Sequence, residues 1–182
     1  MPMAFLVWLA TSVAGGSLAQ VPADSVLDLD AQRAVEVARQ LAFVGPVQPN
    51  DGPLGVIDIP RVGVHGEILE GVDDVTIRRA VGHFPQSARP FQPGNLALAA
   101  HRTTHFRGLR DIRIGDTVLL RVESKTLEYV VERTWVVDPH ETWVIDPTTE
   151  TALTLVTCYP FDYRGHAPKR FIVRARATGS GV

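Results

Sequence analysis

The sequence predicts a mostly β fold: a closed eight-stranded barrel with short helices, preceded by an N-terminal helical segment. Three observations point that way. From residue 54 onward, short runs of strand length recur, most of them alternating apolar and polar residues. The 13 prolines and 15 glycines supply turn signals between those runs. Val, Ile and Thr fill the runs themselves, where a branched Cβ favours extended backbone. At 182 residues, 45% apolar and 21% charged, the chain suits one globular domain with a substantial core and is too short for two large ones.

No charged residue occurs from Met1 to Ala23, and residues 3–14 are strongly apolar, with Phe5, Leu6, Val7, Trp8 and Leu9. Such a stretch is borderline for a spanning helix, which needs roughly 20 apolar residues. Ser17-Leu18-Ala19 also fits a small-x-small cleavage site. Residues 1–23 therefore read as a signal or membrane-anchor segment, with a buried terminal helix as the alternative. Ser25 with Asp28 matches a capping box, and Ala31, Ala34, Val35, Ala38, Leu41 and Ala42 recur at helical spacing, predicting a helix over 25–43. Residues 44–53, with three prolines and two glycines, form a linker. The organisation is thus 1–23 segment, 24–53 helix and linker, 54–177 globular domain, 178–182 tail.

Within the domain, 54–59 alternates and stops at Pro60, and 63–70 follows after a turn. Residues 74–80 make one or two helical turns, capped by Asp73 or Asp74 and ended by Gly82. Strands follow at 95–100, a nearly continuous apolar run, then at 116–122, 127–137, 151–157 and 171–175.

The net charge of −2 gives no reason to expect nucleic acid binding. The single cysteine excludes an intramolecular disulfide and a thiolate-rich zinc site. Cys158 ends the strand Thr154-Leu155-Val156-Thr157 and precedes Tyr159-Pro160, where proline stops ladder pairing. That places the thiol at a barrel rim. His101 has the same placement after the 95–100 strand, and a rim imidazole can pass a proton to a leaving amine. Arg170 opens the last strand and alternates with Phe171 and Val173, so its guanidinium points to the other face, where it can hold an oxyanion. The rival for that role is Lys169. His65, His83, His105, His140 and His166 read as turn or surface residues, and Arg174 and Arg176 as solvated ones. No acidic or thiol partner supports a metal pair of His101 with His105.

These segments together resemble the sortase family. The resemblance rests on Thr154-Leu155-Val156-Thr157-Cys158 with Arg170 before an apolar strand, and on Gly94-Asn95-Leu96-Ala97-Leu98-Ala99-Ala100-His101-Arg102. Gly82-His83-Phe84-Pro85 and the stretch from Phe106 to Asp116 also fit, and the segment from His101 to Asp116 with Tyr159-Pro160-Phe161 most resembles class D members or closely related Gram-negative forms. Ala100 departs from the glycine common before the histidine. The likeness covers about 54–177, far more than one motif.

The resemblance implies a sortase-type barrel and a thiol-dependent transpeptidase, extracytoplasmic and membrane-tethered, that needs no cofactor; no acidic cluster in the sequence supports a metal site. Its partners would be proteins bearing a C-terminal LPxTG-like sorting signal and an amine acceptor, either a cell-wall precursor or a pilin lysine. Cys158 would attack the threonine carbonyl, His101 would carry the proton, and Arg170 would hold substrate and oxyanion. Thr157 would line the substrate pocket, as would Val144 and Ile145 in the 138–150 loop, which reads equally well as a packing loop. Two rival readings remain. A different extracytoplasmic Cys/His peptidoglycan enzyme, such as an L,D-transpeptidase, would carry a Ser-x-Gly-Cys style pattern that Cys158 lacks. A non-catalytic β-barrel binding module would leave the thiol inert.

Overall fold

The computed structural model describes residues 52–178. The anchor segment, the 25–43 helix and nearly all of the linker lie outside the described residues, as does the tail beyond Thr178. Among the described residues no helix is long and apolar enough to cross a membrane.

Eight strands close into a barrel. They are β1 (Gly55–Ile59), β2 (Val64–Glu70), β3 (Val81–His83), β4 (Asn95–Ala99), β5 (Thr117–Val122), β6 (Lys125–Val137), β7 (Ala152–Tyr159) and β8 (Lys169–Ala177). Their order around the wall is β1-β2-β3-β4-β7-β8-β6-β5, and β1 pairs with β5 to shut the sheet. Closure leaves no edge strand to pair with another chain. The pairs β2–β3 and β4–β7 are parallel, and the other contacts are antiparallel.

The mostly β class and the barrel agree with the sequence reading, but only seven of the strands were assigned there. The eighth is β3, hidden because Val81-Gly82-His83 is three residues long and follows a helix directly. That helix, α1 (Asp74–Arg79), starts where Asp73 caps it: the Asp73 carboxylate accepts from the Val75 and Thr76 amides at 2.9 and 3.1 Å. It ends at Ala80, before Gly82, whose real role is spatial. A Cβ at Gly82 would sit 2.4 Å from the Gly71 carbonyl oxygen, so only glycine lets β3 pass beneath that turn.

Alternation sorts the side chains into two cores. Inside the barrel pack Ile57, Ile68, Leu96, Leu98, Val118, Leu120, Tyr129, Leu153, Leu155 and Val173, all buried. A smaller cluster lies outside, where Val137, Val144 and Ile172 meet beneath Trp135, Ile145 and Val156. The outer cluster joins the β6–β7 loop to the wall. It matters for function because it forms one side of the cleft described next.

Candidate active site

Register brings three distant residues together. Cys158 of β7 lies opposite Arg170 of β8 as a direct antiparallel pair. Opposed residues project their side chains from the same face of the sheet. On β7 the inward positions are Leu153, Leu155 and Thr157, buried in the wall, so Val156 and Cys158 face outward. On β8, Arg170, Ile172 and Arg174 share that outward face. Parallel β4 pairs Ala99 with Val156, and the ladder continues as the Ala100 amide donates to the Val156 carbonyl at 3.3 Å. One residue later the chain leaves the sheet, bringing His101 to the level of Cys158.

His101, Cys158 and Arg170 accordingly line one cleft of about 460 Å³. All three are part-exposed, neither sealed in the interior nor free in solvent. The His101 carbonyl accepts from the Thr104 and Phe106 amides at 3.3 and 3.1 Å, which fixes the chain around the imidazole. Arg170 donates through Nη1 to the carbonyls of Ala167 (3.2 Å) and Lys169 (3.0 Å). These bonds hold one edge of the guanidinium while Nε and Nη2 have no protein acceptor among the described residues. Lys169, the rival cation, points away and pairs with Asp138 at 2.7 Å. That ammonium also holds the Asp138 carboxyl below its ordinary value.

Val144 and Ile145 also line the cleft, on the short 3-10 turn Thr142–Ile145. Val144 is only 4% exposed, so the turn both packs and walls the groove. The packing reading of that loop is what the burial of Val144 shows, and the loop also borders the cleft. Thr157 borders the cleft, but its side chain is 2% exposed and its hydroxyl donates to the Ala100 carbonyl at 2.7 Å. It ties β7 to the residue before His101, and the outward face beside the thiol belongs to Val156.

Sequence reasoning missed what positions the loop. Asn95, 1% exposed, donates through Nδ2 to the Val144 and Asp146 carbonyls at 3.3 and 3.0 Å and accepts from the Thr154 hydroxyl at 2.6 Å. Arg174 adds a bond to the same Val144 carbonyl at 3.0 Å. The expectation of a solvated Arg174 is therefore corrected: it is half-buried beneath the loop, and burial lowers its pKa below the ordinary arginine value. Part of the signal was available, since Asn95 is the one polar residue of β4 and Thr154 one of two threonines in the largely apolar β7. His83 is a second correction. It is 0% exposed on β3, with Nδ1 2.9 Å from Glu70 and Nε2 3.0 Å from the Ala88 carbonyl. His166 is exposed as expected, but it borders the thiol cleft. Nothing in its local sequence distinguishes it.

A partly exposed thiol, an imidazole and a guanidinium on one cleft wall suit thiol-dependent acyl transfer. Comparison with known proteins agrees with that chemistry. The family model of the sortase domain matches residues 57–178. Sortase D of Bacillus subtilis (strain 168) is 36% identical over 120 residues, which is 65% of this chain and 61% of that protein's length. Among solved structures, a Clostridium perfringens sortase D5 transpeptidase superposes with a TM-score of 0.65 at 26% identity, covering 84% of this chain and 89% of that one. Sortase E from Streptomyces avermitilis superposes with a TM-score of 0.60 at 31% identity, covering 70% and 88%.

Proposed function

The chain belongs to the sortase family, and we propose that it works as a cysteine transpeptidase on proteins carrying an LPxTG-like sorting signal. The observation that carries the reading is the pairing of Cys158 with Arg170 across β7 and β8 at the cleft that His101 also lines. In this reading the Cys158 thiolate attacks the threonine carbonyl of the donor, because the thiolate and not the thiol is the nucleophile. Free donors of Arg170 hold the developing oxyanion, where a fixed cation is worth most. His101 protonates the leaving amine, and a thioester remains on Cys158. An incoming amine then gives its proton back to His101, forms the new amide and releases the thiolate. The acceptor is a cell-wall precursor or a pilin lysine.

The apolar part of the cleft is walled by Ala99, Val144, Ile145, Val156 and Ile172, which suits the leucine and proline of such a motif. By the same reading the barrel works on the extracytoplasmic side of the cell membrane, tethered through residues 1–23. The apolar run at 3–14 supports this. Recovery of the full chain from the soluble fraction of its host would refute the tether.

The test is thioester capture. Incubation with Leu-Pro-x-Thr-Gly-type peptides, x varied, should leave a mass adduct on Cys158 and release the downstream fragment. Cys158→Ala should form no adduct and fall to below about one thousandth of wild-type turnover, as loss of a covalent nucleophile does. Normal cleavage by that variant would refute the nucleophile, and an inert thiol in the wild type would favour a binding module.

A further inference from the structure

A transpeptidase needs two entrances, and the cleft has two unlike arms. One arm is the apolar groove against the β6–β7 loop. The other, of about 320 Å³, shares His101, Cys158, His166 and Arg170 with the first and then runs past Arg102, Thr103 and Gly165. Arg102 and Thr103 are also lining residues of a third hollow of about 210 Å³, completed by Arg107, Arg110, Phe161 and Asp162. The polar arm thus leads from the thiol to a basin with three guanidiniums and one carboxylate.

The three arginines are not equally occupied. Arg110 is neutralised by Asp162, with Nη2 2.6 Å from each carboxylate oxygen. Arg102 spends Nη2 on the Tyr163 and Gly165 carbonyls at 2.6 and 3.1 Å, while its Nε is buried with no acceptor among the described residues. Arg107 is exposed, and while its backbone amide donates to the Thr104 carbonyl at 3.1 Å, its guanidinium makes no hydrogen bond or ion pair among the described residues. The basin therefore carries net positive charge with at least one uncommitted guanidinium. An apolar donor motif gains nothing there, and the donor already has the apolar arm.

Resting on the transpeptidase reading above, we propose that the basin is an acceptor subsite that selects amine acceptors bearing a carboxylate. The amine enters along the polar arm, and the carboxylate docks on Arg107 with Arg102 beside it. The amine nitrogen attacks the thioester carbonyl; the C–N bond forms, the C–S bond breaks, the thiolate returns to Cys158 and the amine proton passes to His101. Docking the acid group makes the amine's attack locally intramolecular, so it competes better with water for the same thioester.

The experiment measures partition of the acyl-enzyme between aminolysis and hydrolysis. The full chain is loaded with an LPxTG-type donor peptide and offered Nα-acetyl-lysine or its carboxamide. The acid group there is remote from the reacting amine, so the two amines have equal intrinsic reactivity. The free acid should give roughly fivefold more aminolysis per hydrolysis, a modest ratio because Arg107 is exposed, and added salt should erode it. Arg107→Ala should abolish the preference, Arg107→Lys should keep part of it, and Asp162→Asn should strengthen it by freeing Arg110. None of these should change donor cleavage in the absence of amine. Normal acyl-enzyme formation with equal use of both acceptors, or a preference indifferent to Arg107 and Asp162, overturns the subsite and leaves the transpeptidase reading standing. Absence of any acyl-enzyme overturns both.

Discussion

At the scale of residues, each of the three cleft side chains has a distinct demand placed on it by its surroundings. His101 is held by its own carbonyl, which two loop amides grip, leaving the imidazole free to face the cleft. His101→Ala should therefore lower turnover by about 10²–10⁴ while the thermal midpoint stays near wild type, since general acid–base catalysis is worth that much. Turnover within a few fold of wild type would remove His101 from the proton path. Arg170 is anchored by one nitrogen and offers the others. Lysine has no fork with which to do both, so Arg170→Lys should cost about 10²–10³ in kcat, and near-normal activity would mean another donor holds the oxyanion. Their shared place at the barrel rim was legible because each sits at a strand end, and alternation gave the face of Arg170. Thr157 was the instructive exception. The same alternation that turns Cys158 outward turns its neighbour inward, and the hydroxyl is spent on Ala100. His83 was misread for a different reason: its charged partner, Glu70, lies 13 residues earlier in sequence, and such pairings are invisible before the strands are aligned.

At the scale of elements, the wall opposite the thiol depends on a polar row that runs from Asn95 on β4 through Thr154 on β7 to Arg174 on β8. The Val144 carbonyl receives both the Asn95 amide and the Arg174 guanidinium, so the last turn of the Thr142–Ile145 segment is fixed from two sides. Asn95→Ala would strand the Thr154 hydroxyl in a buried setting and leave the part-buried Asp146 carbonyl without that donor. The expected loss is about 1–3 kcal/mol of stability, with a several-fold rise in donor KM as the wall loosens. Arg174→Met should behave differently. It removes a half-buried cation whose Nε has no acceptor among the described residues, so stability should change little while donor KM still rises. Unchanged KM in both variants, measured on protein shown to be folded, would make the row purely structural. Strand positions were mostly recoverable from alternation, to within two residues at most ends. The β3 strand was not, because three residues carry no period, and the tie of the β6–β7 loop to the wall depends on the Asn95 side chain reaching backbone carbonyls 49 and 51 residues away.

At the scale of the whole molecule, two carboxylate locks close the barrel's connections and both set a pH limit. Asp116, at the start of β5, is held by Arg61 in the β1–β2 turn and accepts the Arg113 amide at 2.6 Å. The Arg61 hydrogen bond is the largest influence on it, and despite some opposing desolvation its pKa lies below the ordinary 3.8. Glu70, at the end of β2, bridges buried His83 at 2.9 Å and Arg89 at 2.9 Å. Burial alone would raise its pKa, but the His83 hydrogen bond and the charges of His83 and Arg89 outweigh it and the pKa falls below the ordinary 4.5. In both cases the unfolded chain takes up a proton at a higher pH than the folded one. Between the unfolded and folded values the unfolded state binds more protons, so stability falls as pH falls. The contribution is complete above about pH 4.5 for Glu70 and above about 3.8 for Asp116, and it disappears as pH drops through the lower folded values. Urea midpoints measured from pH 6 to pH 2.5 should hence be flat at first and decline from about pH 4.5 downward. Glu70→Gln should flatten the early part of the decline and Asp116→Asn the later part, each with a lower midpoint at pH 6. A decline that keeps its shape in both variants would place the acid sensitivity elsewhere. Opposite effects in the two, one flattening and one not, would assign it to a single lock.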